Sequence, residues 1–354
     1  MAVIKNIIWE TIIRPMRTTF ATSLGSKTCA TSVIVKVTCK DGSVGLGEIP
    51  TSFVLPKESV KAIQSVLTQV RPALVSKSAD DYAVLTAQLR KQYPDFHMTI
   101  SGLETAMFRA HRTSQGKPGS SFGAVIETDI TIPFVPKISV IGPWIREAIG
   151  SGFYAYKIKV SGDVKKDLKF CLNVQKILSE SGRPYTIRLD GNQGFTAQSA
   201  MKLLEQLDRA SVIVELFEQP LKRNDYKGMK ALYKQSPVPI IADETVFCAD
   251  DCKRVIDDCL AHGVNIKIAK SGISQSQKIL QLARRAKLKL MIGCMTETMV
   301  GLSAGIYLAA GTAVFDYIDL DSIHFLYHHN QYDNIRINGS QYIIGRKKKW
   351  CTKK

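Results

Sequence analysis

Five short apolar stretches of this chain each end in a charged residue, and this arrangement constrains the fold more than any other feature. The charged ends are Lys159, Asp190, Glu218, Asp243 and Lys267, and 24 to 31 residues separate each one from the next. One strand followed by one helix takes up about this length of chain. Because the carboxyl ends of parallel barrel strands meet at one mouth, we expect the five charges to converge there. The pattern predicts an enzyme.

The rest of the chain extends the same alternation of strand and helix. Eight candidate strands with intervening helices follow residue 125, whereas the first 120 residues contain strands followed by helices. We therefore predict an α/β fold, a (β/α)₈-type barrel (a modified TIM barrel) with an α+β capping domain. The predicted parts are a capping domain at 1–124, the barrel at 125–330, and a C-terminal segment at 331–354 that returns to the capping domain. A doubly wound sheet is the second choice, because no glycine-rich phosphate loop follows an early strand.

Composition narrows the class of protein and its partners. The formal charge of +17 comes from lysines spread along the chain, with one basic cluster at the C-terminal tail and no interleaved aromatic residues that would stack on bases. We therefore expect no nucleic-acid partner. No apolar run approaches 18 residues, so no membrane partner is expected either. The eight cysteines are irregularly spaced, which favours reduced thiols and a cytoplasmic location.

The predicted barrel places two amines opposite one another. Strands two and six of an eight-stranded barrel face each other, and these strands end in Lys159 and Lys267. Strands three, four and five lie between them and present Asp190, Glu218 and Asp243. Three carboxylates without histidine or cysteine are typical of a hard divalent cation, so we predict one Mg²⁺ ion, for which Mn²⁺ is expected to substitute.

Two opposed lysines beside a divalent cation suit the transfer of a proton from one face of a carbon atom to the other. A carbon next to a carboxylate is a very weak acid, and its ionisation gives an enediolate that a cation stabilises. Lys159 and Lys267 are the predicted bases, and Lys157, two residues before Lys159, points the same way along its strand.

At these residues the chain resembles the enolase superfamily, in its muconate-lactonizing-enzyme subgroup. The matching segments are Lys157-Ile-Lys159, LDGNQGF at 189–195, ELFEQP at 215–220, ADET at 242–245 and NIKIAKSGI at 265–273. They cover the whole predicted barrel in order. The resemblance implies a capping domain whose loops close over the site.

The pair Asp319 and Asp321 looks like the Asp-x-Asp of the dipeptide epimerases, in which two aspartates hold the α-ammonium of the substrate. The resemblance thus implies a dipeptide epimerase that inverts the α-carbon of the second residue of L-Ala-L-Xaa by two-base 1,1-proton transfer. A muconate cycloisomerase or an o-succinylbenzoate synthase-like enzyme is the alternative, and a non-catalytic basic binding protein is a remote one. If the two aspartates only cap the following helix, the dipeptide assignment loses its main support.

Further substrate contacts are expected from Lys157, Thr131, Cys294 and Met295. The side chain of Xaa stays open, with Glu as one candidate. Dipeptide epimerases that act on Ala-Glu place an arginine in the first loop of the capping domain. This chain has Gly25 at that point, and Lys27 and Arg17 are close by. A homo-oligomer is expected.

Overall fold

The computed structural model describes residues 2–117, 123–135, 137–327, 332 and 334–345. The basic C-terminal cluster that begins at Arg346 lies outside the described residues. In the described ranges no helix combines the length and the apolar content that crossing a bilayer requires.

The N-terminal part is an antiparallel sheet covered by helices. Its three strands, in the order β1-β2-β3, are β1 (Ile4–Thr22), β2 (Gly25–Cys39) and β3 (Val44–Pro50). The helices are α1 (Val60–Leu74), α2 (Tyr82–Gln92) and α3 (His97–Ser114). Asp41 and Gly42 form the turn between β2 and β3, as an Asp-Gly pair between two strands predicts. The inward side chains of the sheet and helices form a core of their own.

Glycine allows α3 to lie directly on β3. A Cβ atom at Gly47 would stand 1.9 Å from the carbonyl oxygen of Gly102, and one at Gly45 would stand 2.0 Å from that of Ala106. Because no side chain fits into these spaces, the backbones of the helix and the strand approach more closely than ordinary packing permits.

The second part of the chain begins with the short strand β4 (Val125–Glu127), after which eight parallel strands form the barrel. They are β5 (Ile130–Ile132), β6 (Ala155–Lys159), β7 (Thr186–Asp190), β8 (Val214–Glu218), β9 (Ile240–Ala242), β10 (Gly263–Lys267), β11 (Lys289–Gly293) and β12 (Tyr317–Asp319). Each strand pairs with the next along the chain. The amide of Asp129 donates to the carbonyl of Ile318 at 3.1 Å, which draws the first and last strands together. The predicted barrel fold is confirmed.

In the described part of the chain, seven helices surround the strands. They are α4 (Ile138–Gly150), α5 (Val164–Glu180), α6 (Ala197–Arg209), α7 (Tyr226–Gln235), α8 (Ala249–Asp257), α9 (Ile268–Arg285) and α10 (Met299–Thr312). Several begin at a side chain that accepts hydrogen bonds from the first turn, such as Asp163 before α5 and Thr196 before α6. Their apolar faces pack on the outside of the barrel and form the larger core.

Four side chains close the lower half of the barrel interior. Leu216, Ile241, Met291 and Tyr317 point inward from β8, β9, β11 and β12 and form a buried apolar cluster. Below the strand ends, much of the interior is therefore a packed core rather than a channel.

The C-terminal strands differ from the predicted course. β13 (Ile335–Asn338) and β14 (Gln341–Ile344) form a hairpin, and β14 pairs with β4 rather than with the sheet of the capping domain. The hydroxyl of Tyr342 is buried and donates to the carbonyl of Leu320 at 2.5 Å, which fixes the hairpin against the barrel. The prediction that this segment returns to the capping domain is wrong for residues 335–344, because β4 offers them an unpaired edge. The boundaries at 124 and 330 stay predictions.

Candidate active site

Nine of the eleven predicted site residues line one cavity at the carboxyl ends of the barrel strands. The nine are Thr131, Lys157, Lys159, Asp243, Lys267, Cys294, Met295, Asp319 and Asp321. Asp190 and Glu218 lie just beneath the cavity surface and are fully buried. The structure therefore brings the predicted residues together.

Lys159 and Lys267 each form an ion pair with a carboxylate at the end of another strand. The Nζ atom of Lys159 lies 2.5 Å from Oδ2 of Asp190, on the neighbouring strand. The Nζ atom of Lys267 lies 2.6 Å from Oδ2 of Asp243 and 3.7 Å from Oε1 of Glu218. Four steps along the sheet separate β6 from β10, so the two amines come from opposite sides of the barrel.

Lys157 occupies the centre of the arrangement. Its amine contacts Asp319 and lies 3.2 Å from Glu218 and 3.6 Å from Asp190. Burial opposes the charged form, but the three carboxylates outweigh burial and hold the pKa of Lys157 well above its usual value. Lys157 is therefore a fixed ammonium that joins the two halves of the site.

The same balance of forces acts on Lys267. Burial disfavours its charge, yet Asp243 and Glu218 together hold its pKa well above the usual range. The pKa values of Asp190 and Glu218 are shifted in the opposite direction. Burial disfavours the charge of Asp190, but Lys159, Lys157 and Lys267 outweigh it and keep the pKa of Asp190 below its usual value.

The backbone conformation just after the strand ends helps to orient the carboxylates of the site. Asn192 and Gln219 follow two of the strand ends with φ values of 39° and 32°, a left-handed conformation that costs free energy in ordinary residues. The amide of Asn192 donates to Oδ1 of Asp190 at 3.0 Å. The side-chain oxygen of Gln219 accepts from the amide of Asp243 at 2.9 Å, which ties two neighbouring strand ends together.

Asp319 and Asp321 lie on the inner side of the last strand, and both are buried. Asp321 precedes a short 3₁₀ helix at Ser322–Phe325, but its side chain makes no capping hydrogen bond there. Instead, Oδ2 of Asp321 accepts from the amide of Thr131 at 2.6 Å, and Oδ1 lies 3.7 Å from Sγ of Cys294. The aspartates therefore face the cavity and do not serve as a helix cap.

The capping domain covers the mouth with its first hairpin and with the loop after β3. Phe20, Leu24 and Phe53 line the cavity from above. The hydroxyl of Ser23 donates to the carbonyl of Asn192 at 2.6 Å and to that of Gly191 at 3.2 Å. The hairpin tip is thus attached to the loop that follows Asp190.

Lys27 also lines the cavity from the capping domain. Its amine contacts the hydroxyl of Thr296, and the carbonyl of Thr51 lies 3.4 Å away. Among the described residues, no carboxylate lies within ion-pair distance of it, and burial lowers the pKa of Lys27 to about 8. Lys27 is therefore an amine in the cavity with no carboxylate partner in the described structure.

Three buried residues that contact the site were not among the predicted site residues. Lys270, in the first turn of α9, donates to Oδ1 of Asp243 at 2.5 Å. Glu244 accepts from Asn192 at 3.3 Å, and burial together with the charge of Asp243 raises the pKa of Glu244 to about 8. Asp129 accepts from Arg188 at 2.7 Å. Only Asp129 could have been found from the sequence, because it alternates with Thr131 on the same predicted strand.

The donors at the mouth fit a hard cation. Asp190, Glu218 and Asp243 offer buried carboxylate oxygens, and the thiol of Cys294 has a pKa raised by burial and by Asp321, so it does not provide a soft thiolate. A second group of carboxylates is more compact. Among the described residues, Asp129, Asp319 and Asp321 form the one set of three in which one oxygen from each residue lies within 4.8 Å of those of the others. That set already has Arg188 and Lys157 as cationic partners.

Known proteins resemble this chain over nearly its whole length. Residues 7–119 match the family described as mandelate racemase / muconate lactonizing enzyme, N-terminal domain. The hydrophobic dipeptide epimerase of Citrifermentans bemidjiense is 30% identical, over 91% of this chain and 90% of its own. The L-Ala-D/L-Glu epimerase of Bacillus subtilis is 30% identical, over 87% and 85% respectively.

Solved structures agree in fold. A substrate-liganded complex of the Bacillus subtilis L-Ala-D/L-Glu epimerase superposes with a TM-score of 0.89 at 28% identity, covering 97% of this chain and 96% of that one. The dipeptide epimerase of Enterococcus faecalis, complexed with Mg and L-Leu-L-Tyr, gives 0.88 at 26% identity and covers 98% of both chains. Residues 144–344 match the family described as enolase C-terminal domain-like. The resemblance seen in the sequence is confirmed: this chain belongs to the enolase superfamily, in its mandelate racemase / muconate lactonizing enzyme group.

Proposed function

We propose that this protein is a dipeptide epimerase that inverts the α-carbon of the second residue of L-Ala-L-Xaa. One observation carries the proposal: a single cavity joins two lysines from opposite sides of the barrel with a buried aspartate pair at one end. A dipeptide has a carboxylate next to the carbon to be inverted and an ammonium at its far end. The cavity offers cations for the first group and anions for the second.

The proton transfer needs two bases with different protonation states. We assign Lys159 and Lys267 to the two faces of the α-carbon. The neutral amine of one takes the α-proton, the C–H bond breaks, and its electron pair delocalises into the neighbouring carboxylate of the substrate. The ammonium of the other lysine then delivers a proton to the opposite face, which leaves the configuration inverted.

Asp190, Glu218 and Asp243 are the residues that would hold a divalent cation, Mg²⁺ first, with Mn²⁺ as its expected substitute. When bound, the cation would supply positive charge for the substrate carboxylate, and it would compete with Lys157 and Lys267 for the carboxylates that raise the pKa values of these two lysines. Support comes from the oxygen-only donors of this set and from the Enterococcus faecalis epimerase, whose structure contains Mg.

The assignment of the metal ligands has a direct test. Calorimetric titration should show that Asp190→Asn binds Mg²⁺ more weakly than the native protein does. Asp129→Asn should bind it about as well as the native protein, since Asp129 belongs to the other, more compact set of carboxylates. The reverse result would move the metal to Asp129, Asp319 and Asp321. Removal of the metal with EDTA should abolish activity, and Mg²⁺ or Mn²⁺ should restore it.

The identity of Xaa is not given by the family, since the relatives are named for Glu, hydrophobic or aromatic dipeptides. Lys27 supports Glu, because a substrate carboxylate would provide the counter-charge that this buried amine lacks in the described structure. Arg17 does not face the cavity; it pairs with Glu147 at 2.6 Å. We propose L-Ala-L-Glu as the first substrate to test.

The alternative activities explain the residues of this site less well. Muconate and succinylbenzoate chemistry involves no ammonium, so a buried aspartate pair on the last strand would have no partner. A non-catalytic binding protein would not need two opposed lysines with intact carboxylate partners. A homo-oligomeric state and a cytoplasmic location stay predictions.

The experiment that tests the function is a library of L-Ala-L-Xaa dipeptides incubated with the Mg²⁺-loaded enzyme in D₂O. We expect one deuterium at the α-carbon of the second residue together with inversion, detected by mass shift and chiral chromatography. Turnover of muconate-like acids, or no exchange in any dipeptide, would exclude the proposal.

A further inference from the structure

Asp129 adds a third carboxylate to the aspartate pair on the last strand. One oxygen from each of Asp129, Asp319 and Asp321 lies within 4.8 Å of those of the other two, and all three residues are buried. Three carboxylates at this separation repel one another unless cations offset their charge. The proposed function uses only two of them.

Two cationic side chains among the described residues contact this group. Lys157 contacts Asp319, and Nη1 of Arg188 lies 2.7 Å from Oδ2 of Asp129. Arg188 is itself held in place, because its Nε atom donates to Glu215 at 2.6 Å and its guanidinium lies 5.1 Å from the ring centre of Tyr317.

Asp321 is left with neutral partners. It accepts from the amide of Thr131 and contacts the thiol of Cys294, and no cation of the described residues lies within ion-pair distance. Lys157 is also shared with Asp190 and Glu218, and Arg188 with Glu215, so the three carboxylates have too few cationic partners among the described residues. Oδ1 of Asp129 and Oδ1 of Asp319 are buried and make no hydrogen bond among the described residues, which adds to the negative potential at this end of the cavity.

We propose that Asp129, held by Arg188, is a positioning residue that makes this end of the cavity selective for a free ammonium. The inference rests on the proposed function. Asp129 need not touch the substrate, since its negative charge behind Asp319 and Asp321 strengthens the attraction for the ammonium that those two residues bind. Burial and the charge of Asp319 raise the pKa of Asp129, whereas Arg188 lowers it and so favours the charged form on which the attraction depends.

The test compares a free dipeptide with its N-acetylated form, which keeps the reacting carboxylate and loses the ammonium. Inhibition constants for both compounds are measured against a reference substrate. Asp129→Asn has nearly the same shape and removes only the charge, so we expect it to weaken binding of the free dipeptide about tenfold and to leave the acetylated form unchanged. The preference for the free amine should therefore fall about tenfold.

Asp167→Asn is the matched control. Asp167 is equally buried and accepts hydrogen bonds from Ser161 and Gly162 outside the cavity. Its substitution is expected to lower the melting temperature and to leave the preference unchanged. Arg188→Lys keeps a cation beside Asp129 and should retain most of the preference for the free dipeptide. This variant provides a second measurement if Asp129→Asn folds poorly.

Equal losses for both compounds in Asp129→Asn, or an unchanged preference, would show that Asp129 has a purely structural role and would overturn the inference. Asp321→Asn separates this outcome from a failure of the proposed function. If Asp321→Asn lowers the preference and Asp129→Asn does not, only the inference fails. If neither substitution lowers it, no ammonium binds at this end of the cavity, and both fail.

Discussion

At the scale of single residues, the site consists of charges that other charges hold in place. Burial alone would neutralise Lys157 and Lys267, whereas neighbouring carboxylates keep both of them charged. A lysine acts as a base only when it is neutral. The protonation of each lysine therefore depends on what else its partner carboxylates contact.

The two proposed bases should be separable by the substrate epimer on which each acts. Lys159→Ala and Lys267→Ala should each lower epimerization by roughly 10²-fold or more, because each lacks one of the two proton carriers. Each variant should still exchange deuterium from one epimer, and the two variants should retain opposite epimers. NMR in D₂O from each pure epimer measures this. Continued epimerization in both variants would mean that another group carries the proton.

Glu297 makes folding stability depend on pH. Burial and the nearby charge of Glu48 raise the pKa of Glu297 from 4.5 to about 8. The unfolded chain loses this proton near pH 4.5 and the folded protein near pH 8, so unfolding releases a proton between these values. The contribution of Glu297 to stability is therefore full below pH 4.5 and falls as the pH rises towards 8, by at most about 1.4 kcal/mol per pH unit.

Glu297→Gln should remove this slope. We expect the variant to gain stability over the native protein as the pH rises from 5 to 8, measured by urea unfolding at several pH values. Glu205→Gln, which changes an exposed carboxylate on α6, is the control. Parallel curves for Glu297→Gln and the native protein would contradict the assignment.

At the scale of secondary-structure elements, one carboxylate of the capping domain holds a helix of the barrel. Glu48 at the end of β3 accepts from the amide of Thr298 at 2.9 Å, from the hydroxyl of Thr298 at 2.6 Å and from the amide of Gly301 at 2.9 Å. A negative charge at the N-terminus of α10 also interacts favourably with the helix dipole. This contact joins the capping domain to the loop after β11 that carries Met295.

Glu48→Ala should therefore affect both stability and substrate binding. The exposed helix amides should cost about 1–3 kcal/mol in the free energy of unfolding, and Glu48→Gln should cost less because it keeps an acceptor. KM should rise in Glu48→Ala, since the loop before α10 loses its support. The control is Glu58→Ala, which removes a similar cap from α3 within the capping domain. An equal rise of KM in the control would show that the effect is general destabilisation.

At the scale of the whole molecule, the site is complete only where the two domains meet. The barrel provides the lysines and carboxylates, and the capping domain provides Phe20, Lys27 and Phe53 above them. Ser23 fixes the first hairpin to the loop after Asp190. Access of water to the cavity therefore depends on this hairpin as well as on the barrel.

Ser23→Ala should loosen the hairpin without affecting the barrel. We expect KM to rise roughly fivefold, as the loss of about 1 kcal/mol of hydrogen bonding predicts, with little change in melting temperature. Steady-state kinetics and thermal unfolding measure the two effects. Ser26→Ala, at an exposed serine of the same hairpin, should change neither. A KM that stays constant in Ser23→Ala would show that the hairpin closes without this contact.

Much of the barrel could be predicted from the sequence because its signals are local. A charge at the end of an apolar strand stands out in the chain itself, and the spacing of Lys159, Asp190 and Glu218 reflects the length of one strand and one helix. Alternation along a strand also assigns Lys157 and Asp319 to the inside. These residues follow from rules that involve only near neighbours in sequence.

Other features depend on contacts between distant parts of the chain, and the tertiary structure alone decides them. Lys270 reads as an ordinary helix-start residue until α9 places it against Asp243. Residues 341–344 are a clear strand in the sequence, but the edge they pair with belongs to β4, more than 200 residues away. The charge of Asp129 depends on Arg188, two strands across the barrel. Sequence patterns determine which residues point inward, whereas partners and protonation depend on distances in space that only the folded chain defines.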